Sequence, residues 1–266
     1  MAENPIIPDY SKPVSTLIEK ISDALGGVFR PWQIRRVAHA EADAALIQAR
    51  ARIEVSDLEQ RALIRFVQEQ ARNQENMEAI AERSFKYVSD SAKPEGVDED
   101  WLAHFFDKCR LVSDDQMQEL WARALAGEAN LPGRYSRRSL SFMTTLGRND
   151  AKAFAALCSF NWECMARVFT VIPNDLNNRF RPVGGLSFDL LTHLDQIGLI
   201  TFEPLNGFYQ DDLKPPMRVS YFGRTVMLQP TGDARCFVDV GNVLLTKVGE
   251  ELATLCQPEE SDEIYQ

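Results

Sequence analysis

The chain has 266 residues, a length that corresponds to one large domain or two small ones. Apolar residues make up 45% and charged residues 26%, which excludes collagen-like, disulfide-scaffold and wholly disordered proteins. The net charge of −10 disfavours a nucleic-acid partner, because an acidic chain repels phosphate backbones unless its basic residues gather on one face.

The cysteines and histidines predict a cytoplasmic protein without a metal or cofactor. There are five cysteines, an odd number, and none forms a C-x-x-C pair, so we expect reduced thiols. Cys109, Cys158 and Cys256 lie among apolar neighbours in helical patterns and should be buried. The three histidines are isolated from one another and from the cysteines, whereas zinc needs about four clustered ligands. The sequence shows no secretory signal and no apolar run that could span a membrane.

The N-terminal region predicts an extended arm over residues 1–13, which contains three prolines, followed by an amphipathic helix. The capping-box spacing of Thr16 and Glu19 predicts the start of this helix, and Gly26-Gly27 predicts its end. Its apolar stripe either packs on a partner helix, which we favour, or anchors the protein on a membrane surface. Surface anchors usually carry more Lys and Arg on their polar face. The candidate anchor consists of Leu17, Ile18, Ile21, Leu25, Val28 and Phe29.

A long helix, or a helix pair bent near Val55-Ser56, is predicted from Trp32 to about Ser89. The segment contains no Pro or Gly and is rich in strong helix formers. Ser56 and Glu59 have the spacing of a second capping box. A rod of this length cannot cover its own apolar stripe, so residues 14–92 as a whole predict a homo-oligomer. The candidate oligomer seam consists of Leu46, Ile53, Leu63, Val67, Met77 and Ile80.

A helical middle segment is predicted over residues 97–138, after a boundary marked by Pro94 and Gly96. The spacing of Ser113 and Gln116 predicts the N-terminal cap of its second helix. Acidic residues crowd the first turns of both helices. We interpret these carboxylates as stabilising the helix dipoles rather than as catalytic or metal-binding groups.

The segments LLTHLDQIGLITFE and LLTKVGEEL, with a hairpin at Gly223 between them, resemble a winged-helix domain over residues 139–257. An acidic tail, residues 258–266, follows. Local patterns predict helices over 139–146 and 149–160, the second capped by Asn149, and a strand over 169–172. The helix that would enter a DNA groove begins after Ser187 and carries Asp189 and Asp195 but no Lys or Arg, which disfavours nucleic-acid contacts. We therefore expect another protein as its partner.

The strongest candidate for an anion or partner surface is the basic cluster of Arg134, Arg137, Arg138 and Arg148. Arginines near a helix N-terminus can bind an anion or phosphate. The favoured alternative is a solvated face that pairs with the surplus of acidic residues. No catalytic motif of the common hydrolase, kinase, nucleotide-binding or metalloprotease types is present, so the sequence predicts no catalytic residue and no enzyme.

The segment VDEDWLAHFFDKCRLVSDDQMQELWARALAGEANLPGRYSRRSL resembles a bacterial family of unknown function, DUF2806. The preceding RRVAHAEADAALIQARARIE and the terminal HLDQIGLI and LLTKVGEEL extend this resemblance from about Leu17 to Cys256. A more distant likeness links the chain to the Abi-alpha group of abortive-infection proteins. The resemblances imply a protein of bacterial or prophage origin with a role in phage defence. The predicted elements together indicate a mostly α protein with a small β component. We therefore expect a self-assembling interaction protein in phage defence, with a winged-helix regulator that binds nucleic acid or a peripheral membrane protein as alternatives.

Overall fold

The computed structural model describes residues 10–26, 57–164, 167–172, 186–210, 217–229, 238–258 and 260. Within them the fold is mostly α with a small β component, as the sequence predicts. The chain divides into two compact units, Met1–Thr144 and Thr145–Gln266. None of the helices in the described part of the chain has the length and apolar character needed to cross a bilayer.

The described part of the first unit is helical. Two short 3-10 helices, Phe85–Tyr87 and Pro94–Gly96, connect its longer elements. The α-helices are α1 (Lys12–Ala24), α2 (Asp57–Ser84), α3 (Glu99–Cys109), α4 (Asp115–Asn130) and α5 (Arg137–Met143).

The predicted boundary at Pro94 lies inside the first unit. Pro94 is buried, and the neighbouring Lys93 amide donates a hydrogen bond to the Ala129 carbonyl at 2.9 Å. The division between the units falls after Thr144 rather than after residue 138, because α5 packs against α3. Helix α5 therefore belongs to the first unit and not to the predicted C-terminal domain.

Helix α1 begins earlier than predicted. Pro13 occupies its first turn, where a missing N–H has no consequence, and the helix starts at Lys12. The Thr16 hydroxyl does not cap the helix but bonds the Lys12 carbonyl at 3.2 Å, one turn back. Leu25 and Gly26 end the helix as predicted, with Gly26 at a φ of +72°. The predicted arm over residues 1–13 is thus shortened by the first turn of α1.

The core of the first unit is an aromatic cluster between α3 and α4. Phe105 contacts Trp101 and Trp121 with ring centroids 5.3 Å apart in both pairs. Both helices begin at an aspartate that accepts backbone hydrogen bonds, as N-terminal caps do. Asp98 accepts from Trp101 at 2.8 Å, and Asp114 accepts from Gln116 and Met117 at 3.1 Å. The cap of α4 is therefore Asp114 and not Ser113, and the carboxylates in these two caps are structural.

The second unit combines three helices and eight strands in its described residues. Its helices are α6 (Arg148–Cys158), α7 (Phe188–Gln196) and α8 (Lys247–Ala253). Its strands are β1 (Asn161–Cys164), β2 (Arg167–Thr170), β3 (Ile200–Phe202), β4 (Phe208–Gln210), β5 (Met217–Tyr221), β6 (Arg224–Leu228), β7 (Val238–Gly241) and β8 (Val243–Leu245).

The strands form an antiparallel sheet in the order β2-β1-β5-β6 and two separate pairs, β3 with β8 and β4 with β7. The hairpin predicted at Gly223 is present between β5 and β6. It belongs to the four-stranded sheet, because β5 also pairs with β1, with Glu163 opposite Ser220. Strand β1 was not indicated by the sequence, and β2 ends at Thr170 instead of Ile172.

Two helix starts in the second unit test the capping predictions. Ser187 caps α7 as predicted, since its side chain accepts a hydrogen bond from the Leu190 amide at 3.2 Å. Helix α6 begins after Gly147 rather than after Asn149. The Asp150 side chain reaches back to the Gly147 amide at 3.0 Å, so the carboxylate inside the first turn decides where the helix begins.

The start of helix α8 packs closely against Leu199, the residue that precedes β3. Thr246 caps the helix by accepting from the Gly249 amide at 3.0 Å, and its own amide donates to the Leu199 carbonyl at 3.1 Å. A Cβ at Gly249 would overlap that same carbonyl oxygen. The terminal LLTKVGEEL segment therefore combines a cap with a glycine that permits close approach.

Candidate interaction surfaces

Helix α2 has one face that changes from exposed to buried along its length. Ile80, Ala81 and Ser84 are completely buried in the second half. On the same side of the first half lie Leu58, Leu63 and Phe66, with 69%, 38% and 58% of their surface exposed. Burying a large apolar side chain is worth roughly 1.5–3 kcal/mol. The first half of α2 therefore carries an apolar surface that none of the described residues of its unit covers.

The predicted oligomer seam is divided by this change in burial. Leu63 is exposed, and Val67 and Met77 are half-buried. Ile80 has no exposed surface and belongs to the core of its own unit, so its place in an intermolecular seam was predicted wrongly. Leu46 and Ile53 lie outside the described residues. The available surface, called here the α2 surface, consists of Leu58, Ala62, Leu63 and Phe66.

The buried half of α2 is held by polar contacts. The Asn76 amide donates to the Arg110 carbonyl at 2.8 Å and accepts from Gln118 at 3.3 Å, while Gln118 also donates to the Val112 carbonyl at 2.9 Å. These bonds fix α2 on the turn between α3 and α4. One turn earlier, Asn73 is only 2% exposed, and neither polar atom of its amide has a hydrogen-bond partner among the described residues.

The 3-10 helix that follows α2, Phe85–Tyr87, is fixed on α4 by a second set of polar contacts. The Tyr87 hydroxyl donates to Glu119, and the Lys86 ammonium lies 2.9 Å from the same carboxylate. Burial alone would raise the pKa of Glu119, but the hydrogen bonds from Tyr87 and Lys86 outweigh it and hold that pKa below its ordinary value. The carboxylate is therefore ionised and part of the packing of the first unit.

The loop before α5 carries Arg134 and leads to Arg137 and Arg138, the first two residues of that helix. Glu128, which is only 2% exposed, accepts hydrogen bonds from the Gly133 amide at 2.6 Å and the Tyr135 amide at 3.0 Å. The Trp101 indole donates to the Tyr135 carbonyl at 2.8 Å. The buried carboxylate thus determines the loop conformation that displays the arginines.

Arg134 and Arg137 have different neighbours within the first unit. The Arg137 guanidinium lies 3.2 Å from Asp98 and 3.4 Å from Asp100, which agrees with a solvated face paired with acidic residues. The Arg134 guanidinium lies 5.7 Å from the ring of Tyr135. Arg138 is exposed, and Arg148 begins α6 in the second unit.

The candidate anchor helix packs inside the first unit. Leu17 and Ile21 have no exposed surface, and the Lys20 ammonium donates to the Val97 carbonyl at 2.8 Å. Ile18 and Leu25 are half-buried, while Val28 and Phe29 lie outside the described residues. The favoured interpretation, packing against other helices, fits this burial, and in this arrangement a membrane surface could not reach Leu17 or Ile21.

Two histidine contacts join residues that are distant in sequence. His193 lies 2.8 Å from the Asp150 carboxylate, and this contact, opposed by partial burial, lowers the pKa of Asp150. The neighbouring Asp195 instead accepts from the Phe202 amide at 3.0 Å. His104 lies 3.1 Å from the Ser141 hydroxyl on the surface of the first unit. No cluster of three metal-binding side chains occurs among the residues that the structure describes.

A cavity of about 270 Å³ lies within the second unit. Carboxylates, hydroxyls and one thiol line it, together with the ring of Phe222 at the tip of the β5–β6 hairpin. Its principal lining residues are Cys158, Asn161, Glu163, Phe222, Glu250 and Thr254. Its walls come from segments far apart in the chain, so no local motif could have indicated it.

A family model described as "Protein of unknown function (DUF2806)" matches residues 60–266. The chain belongs to the DUF2806 family. The match covers most of α2, the part of the first unit that follows α2 and the whole second unit, and it confirms the resemblance seen in the sequence. No curated protein and no solved structure matches the chain. The likeness to abortive-infection proteins remains a prediction.

The DUF2806 match includes the three candidate arginines of the first unit, the α2 surface beyond Gln60 and the lining of the cavity. Helix α1 lies outside it. Sequence reasoning missed the buried carboxylate of Glu128, the cavity and the histidine contact with Asp150. Only Glu128 left a local signal, since it precedes a Pro-Gly turn whose free amides need an acceptor.

Proposed function

We propose that this chain is a self-assembling interaction protein without catalytic activity, in which the α2 surface pairs with the same surface of a second copy. The observation that carries this proposal is the apolar side of α2, which is core in the second half of the helix and exposed at Leu58, Leu63 and Phe66 in the first half. An apolar patch of this kind in a folded protein is typical of an interaction site.

A second copy suits this surface better than a charged partner. Residues 57–72 extend about 24 Å at ~1.5 Å per residue, enough for a two-helix contact about four turns long. Their charges balance, so two copies of this segment do not repel each other, although the whole chain has a net charge of −10. The acidic residues are Asp57, Glu59 and Glu69, and the basic ones are Arg61, Arg65 and Arg72.

Light scattering after size exclusion tests this assembly with two matched double variants. Leu63→Asp with Phe66→Asp places two charges in the proposed contact, where an unpaired charge costs several kcal/mol. Gln60→Asp with Gln68→Asp adds the same charge on other sides of the same helix segment. We expect an oligomer for the wild type and the control, and a monomer of unchanged helicity for the first variant. A monomeric wild type at micromolar concentration, or equal behaviour of both variants, would contradict the proposal.

We also propose that the second unit acts as a winged-helix-like protein-interaction module. The pairing of β3 with β8, which brings the strand after α7 next to the strand before α8, supports this likeness. Nucleic-acid binding is the less favoured alternative, because α7 carries Asp189 and Asp195 and its His193 contacts Asp150. Salt-dependent binding of DNA or RNA to the chain would favour this alternative. Weaker binding of Arg137→Ala and Arg138→Ala would instead place the nucleic-acid contact on the arginine cluster of the first unit.

The likeness to abortive-infection proteins extends the proposal to phage defence in the bacterial cytoplasm. The efficiency of phage plating on cells that produce the chain tests this part. We expect plating to fall with the wild type and with Gln60→Asp/Gln68→Asp, and to recover with Leu63→Asp/Phe66→Asp at equal protein level. Equal plating on producing and non-producing cells, over a broad phage panel, would contradict a defence role without affecting the assembly proposal.

A further inference from the structure

One wall of the cavity in the second unit is a face of the antiparallel sheet. Asn161 and Glu163 alternate with Trp162 and Cys164 along β1, so their side chains lie on the same face of the sheet. Ser220 of β5 is directly opposite Glu163, and its hydroxyl donates to the Glu163 carboxylate at 3.5 Å. The sheet therefore supplies an amide, a carboxylate and a hydroxyl to the cavity.

Helix α8 supplies a second carboxylate, from Glu250. The Oε2 atom of Glu250 accepts from the Lys247 ammonium at 3.3 Å, in an ion pair whose side chains are 49% and 76% exposed. Exposed ion pairs of this kind are weak. The Oε1 atoms of Glu250 and Glu163 have no hydrogen-bond partner among the described residues. Both carboxylates can therefore accept further hydrogen bonds from a ligand.

An aromatic ring lines the cavity at the tip of the β5–β6 hairpin. Phe222 contributes this ring, and 41% of its surface is exposed. Phe222 and Gly223 form a two-residue loop, with φ values of +47° and +77°. Such loops usually carry Asn, Asp or Gly, and a bulky residue rarely adopts a positive φ. The hairpin thus holds an aromatic ring beside the cavity at a position that sterics disfavour for it.

The charge around the cavity is negative. None of its described lining residues is a lysine, arginine or histidine. The cationic side chains next in sequence to the hairpin tip and close to Glu250 are Arg224 and Lys247, and each pairs with a carboxylate, Arg224 with Glu260 at 3.0 Å. Carboxylates and the face of an aromatic ring both attract cations. The lining therefore favours a positively charged ligand.

An organic cation fits this lining better than a metal ion. Calcium takes six to eight oxygen ligands, and magnesium requires nearly ideal octahedral geometry. No group of three metal-binding side chains occurs in the part of the chain that the structure describes. Val168 and Pro258 add apolar surface to the cavity, which suits methylene groups and not a hydrated metal.

We propose that this cavity binds a short linear aliphatic diamine. Its two ammonium groups contact the carboxylates of Glu163 and Glu250, which come from separate elements, and the ring of Phe222 adds a cation–π contact. Primary amines have pKa values near 10, so both ends of the ligand are charged at neutral pH. A volume of about 270 Å³ corresponds to about nine water-sized groups at ~30 Å³ each, which is enough for the diamine putrescine.

Calorimetric titration of the full chain with putrescine tests this proposal. We expect one saturable site per chain, with an affinity that falls as the salt concentration rises. Butylamine, which has a single ammonium group, should bind at least about tenfold more weakly, because it forms one charged contact fewer. Succinate should not bind, and equimolar magnesium should not displace putrescine. Absence of putrescine binding to folded protein at millimolar concentration, or displacement by magnesium, would overturn the proposal.

Variants assign the binding to the cavity. Glu163→Gln and Glu250→Gln should each weaken putrescine binding at least about tenfold, and Phe222→Leu should weaken it about two- to fivefold. Asp189→Asn is the matched control, because it removes the same charge from an exposed position on α7 that does not line the cavity. Its affinity should equal that of the wild type. Putrescine should also raise the melting temperature of the wild type and the control but not of the two glutamine variants.

The same measurements expose a wrong assignment. Equal losses of affinity in Glu163→Gln, Glu250→Gln and Asp189→Asn would show a general effect of net charge and overturn the site. Circular dichroism of each variant without ligand identifies any loss of folding. The exposed carboxylate of Glu250 provides a substitution that should leave the fold intact, so unchanged putrescine affinity in Glu250→Gln would also contradict the proposal.

Discussion

The two halves of α2 differ in a way that is opposite to the usual pattern of a globular helix. The exposed half presents Leu58, Leu63 and Phe66 to solvent, while the buried half places Asn73, Asn76 and Ser84 in the interior. Buried polar groups normally need hydrogen-bond partners, and Asn76 has them. Specific hydrogen bonds thus fix the second half of the helix, whereas none of the described residues covers the apolar side chains of the first half.

This difference separates two kinds of apolar position that look alike in sequence. Ile80 contributes to the stability of a single chain, whereas Leu63 and Phe66 should contribute only to contacts between chains. Substitutions along α2 and at its contact with α4 can therefore distinguish folding from association.

The largest effect on folding should come from Ile80→Ala. Ile80 is completely buried, so truncation removes apolar contacts and leaves a cavity, at a cost of about 2–5 kcal/mol in the free energy of unfolding. Urea unfolding at low protein concentration measures it. Leu63→Ala is the matched control and should change this free energy by less than about 0.5 kcal/mol. Similar losses for both variants would abolish the distinction between the two halves.

A smaller loss should follow from Asn76→Leu. The substitution removes the donor to the Arg110 carbonyl and the acceptor for Gln118, which leaves buried polar groups without partners at about 1–3 kcal/mol. The melting temperature should fall while the oligomeric mass stays the same. An unchanged melting temperature would show that these bonds do not hold the buried half of α2.

Removal of the α4 charge that holds the turn after α2, by Glu119→Gln, should cost about 1–2 kcal/mol near neutral pH through weaker hydrogen bonds with Tyr87 and Lys86. Because folding lowers the pKa of Glu119, its contribution is present above the ordinary pKa near 4.5 and is lost as the pH falls through the folded pKa. The difference in melting temperature between the wild type and Glu119→Gln, measured from pH 7 down to acid pH, tests this contribution. A difference that grows toward acid pH would contradict this assignment.

The smallest effect, and of opposite sign, should come from Asn73→Leu. The Asn73 amide is buried without a hydrogen-bond partner among the described residues, so an apolar side chain of similar size should leave stability unchanged or raise it by up to about 1 kcal/mol. The melting temperatures of Asn73→Leu and Asn76→Leu should therefore move apart. A marked loss for Asn73→Leu would reveal a polar contact that supports this position.

Local chemistry in the sequence predicted much of the helical fold. Asp98 and Ser187 cap helices because their side chains accept a hydrogen bond from the backbone amide three residues later, and so short a spacing can be recognised in the sequence. Strand β1 escaped prediction because Asn161–Cys164 has only four residues, too few for its alternation of polar and apolar side chains to be recognised. Its pairing with β5 depends on residues more than fifty positions away.

The candidate surfaces were less predictable for the same reason. Periodicity identified Ile80 and Leu63 as apolar positions of one helix, but it could not tell which of them the chain covers itself. The contact of His193 with Asp150 joins residues brought together only by the tertiary fold. The sequence indicated pairing of the arginines with acidic residues, but only the tertiary fold shows that Asp98 and Asp100 are the partners of Arg137.

The close approach of α8 to β3 has a consequence for the evolution of this family. Since a Cβ at Gly249 would overlap the Leu199 carbonyl, the backbone of a neighbouring segment admits a single amino acid at this position. An invariant glycine here in related sequences would record a limit on space and not a shared ligand or reaction. Relatives that carry a larger residue at this point must have moved the helix away from the strand, so this one position distinguishes descendants that keep the packing from those that have remodelled it.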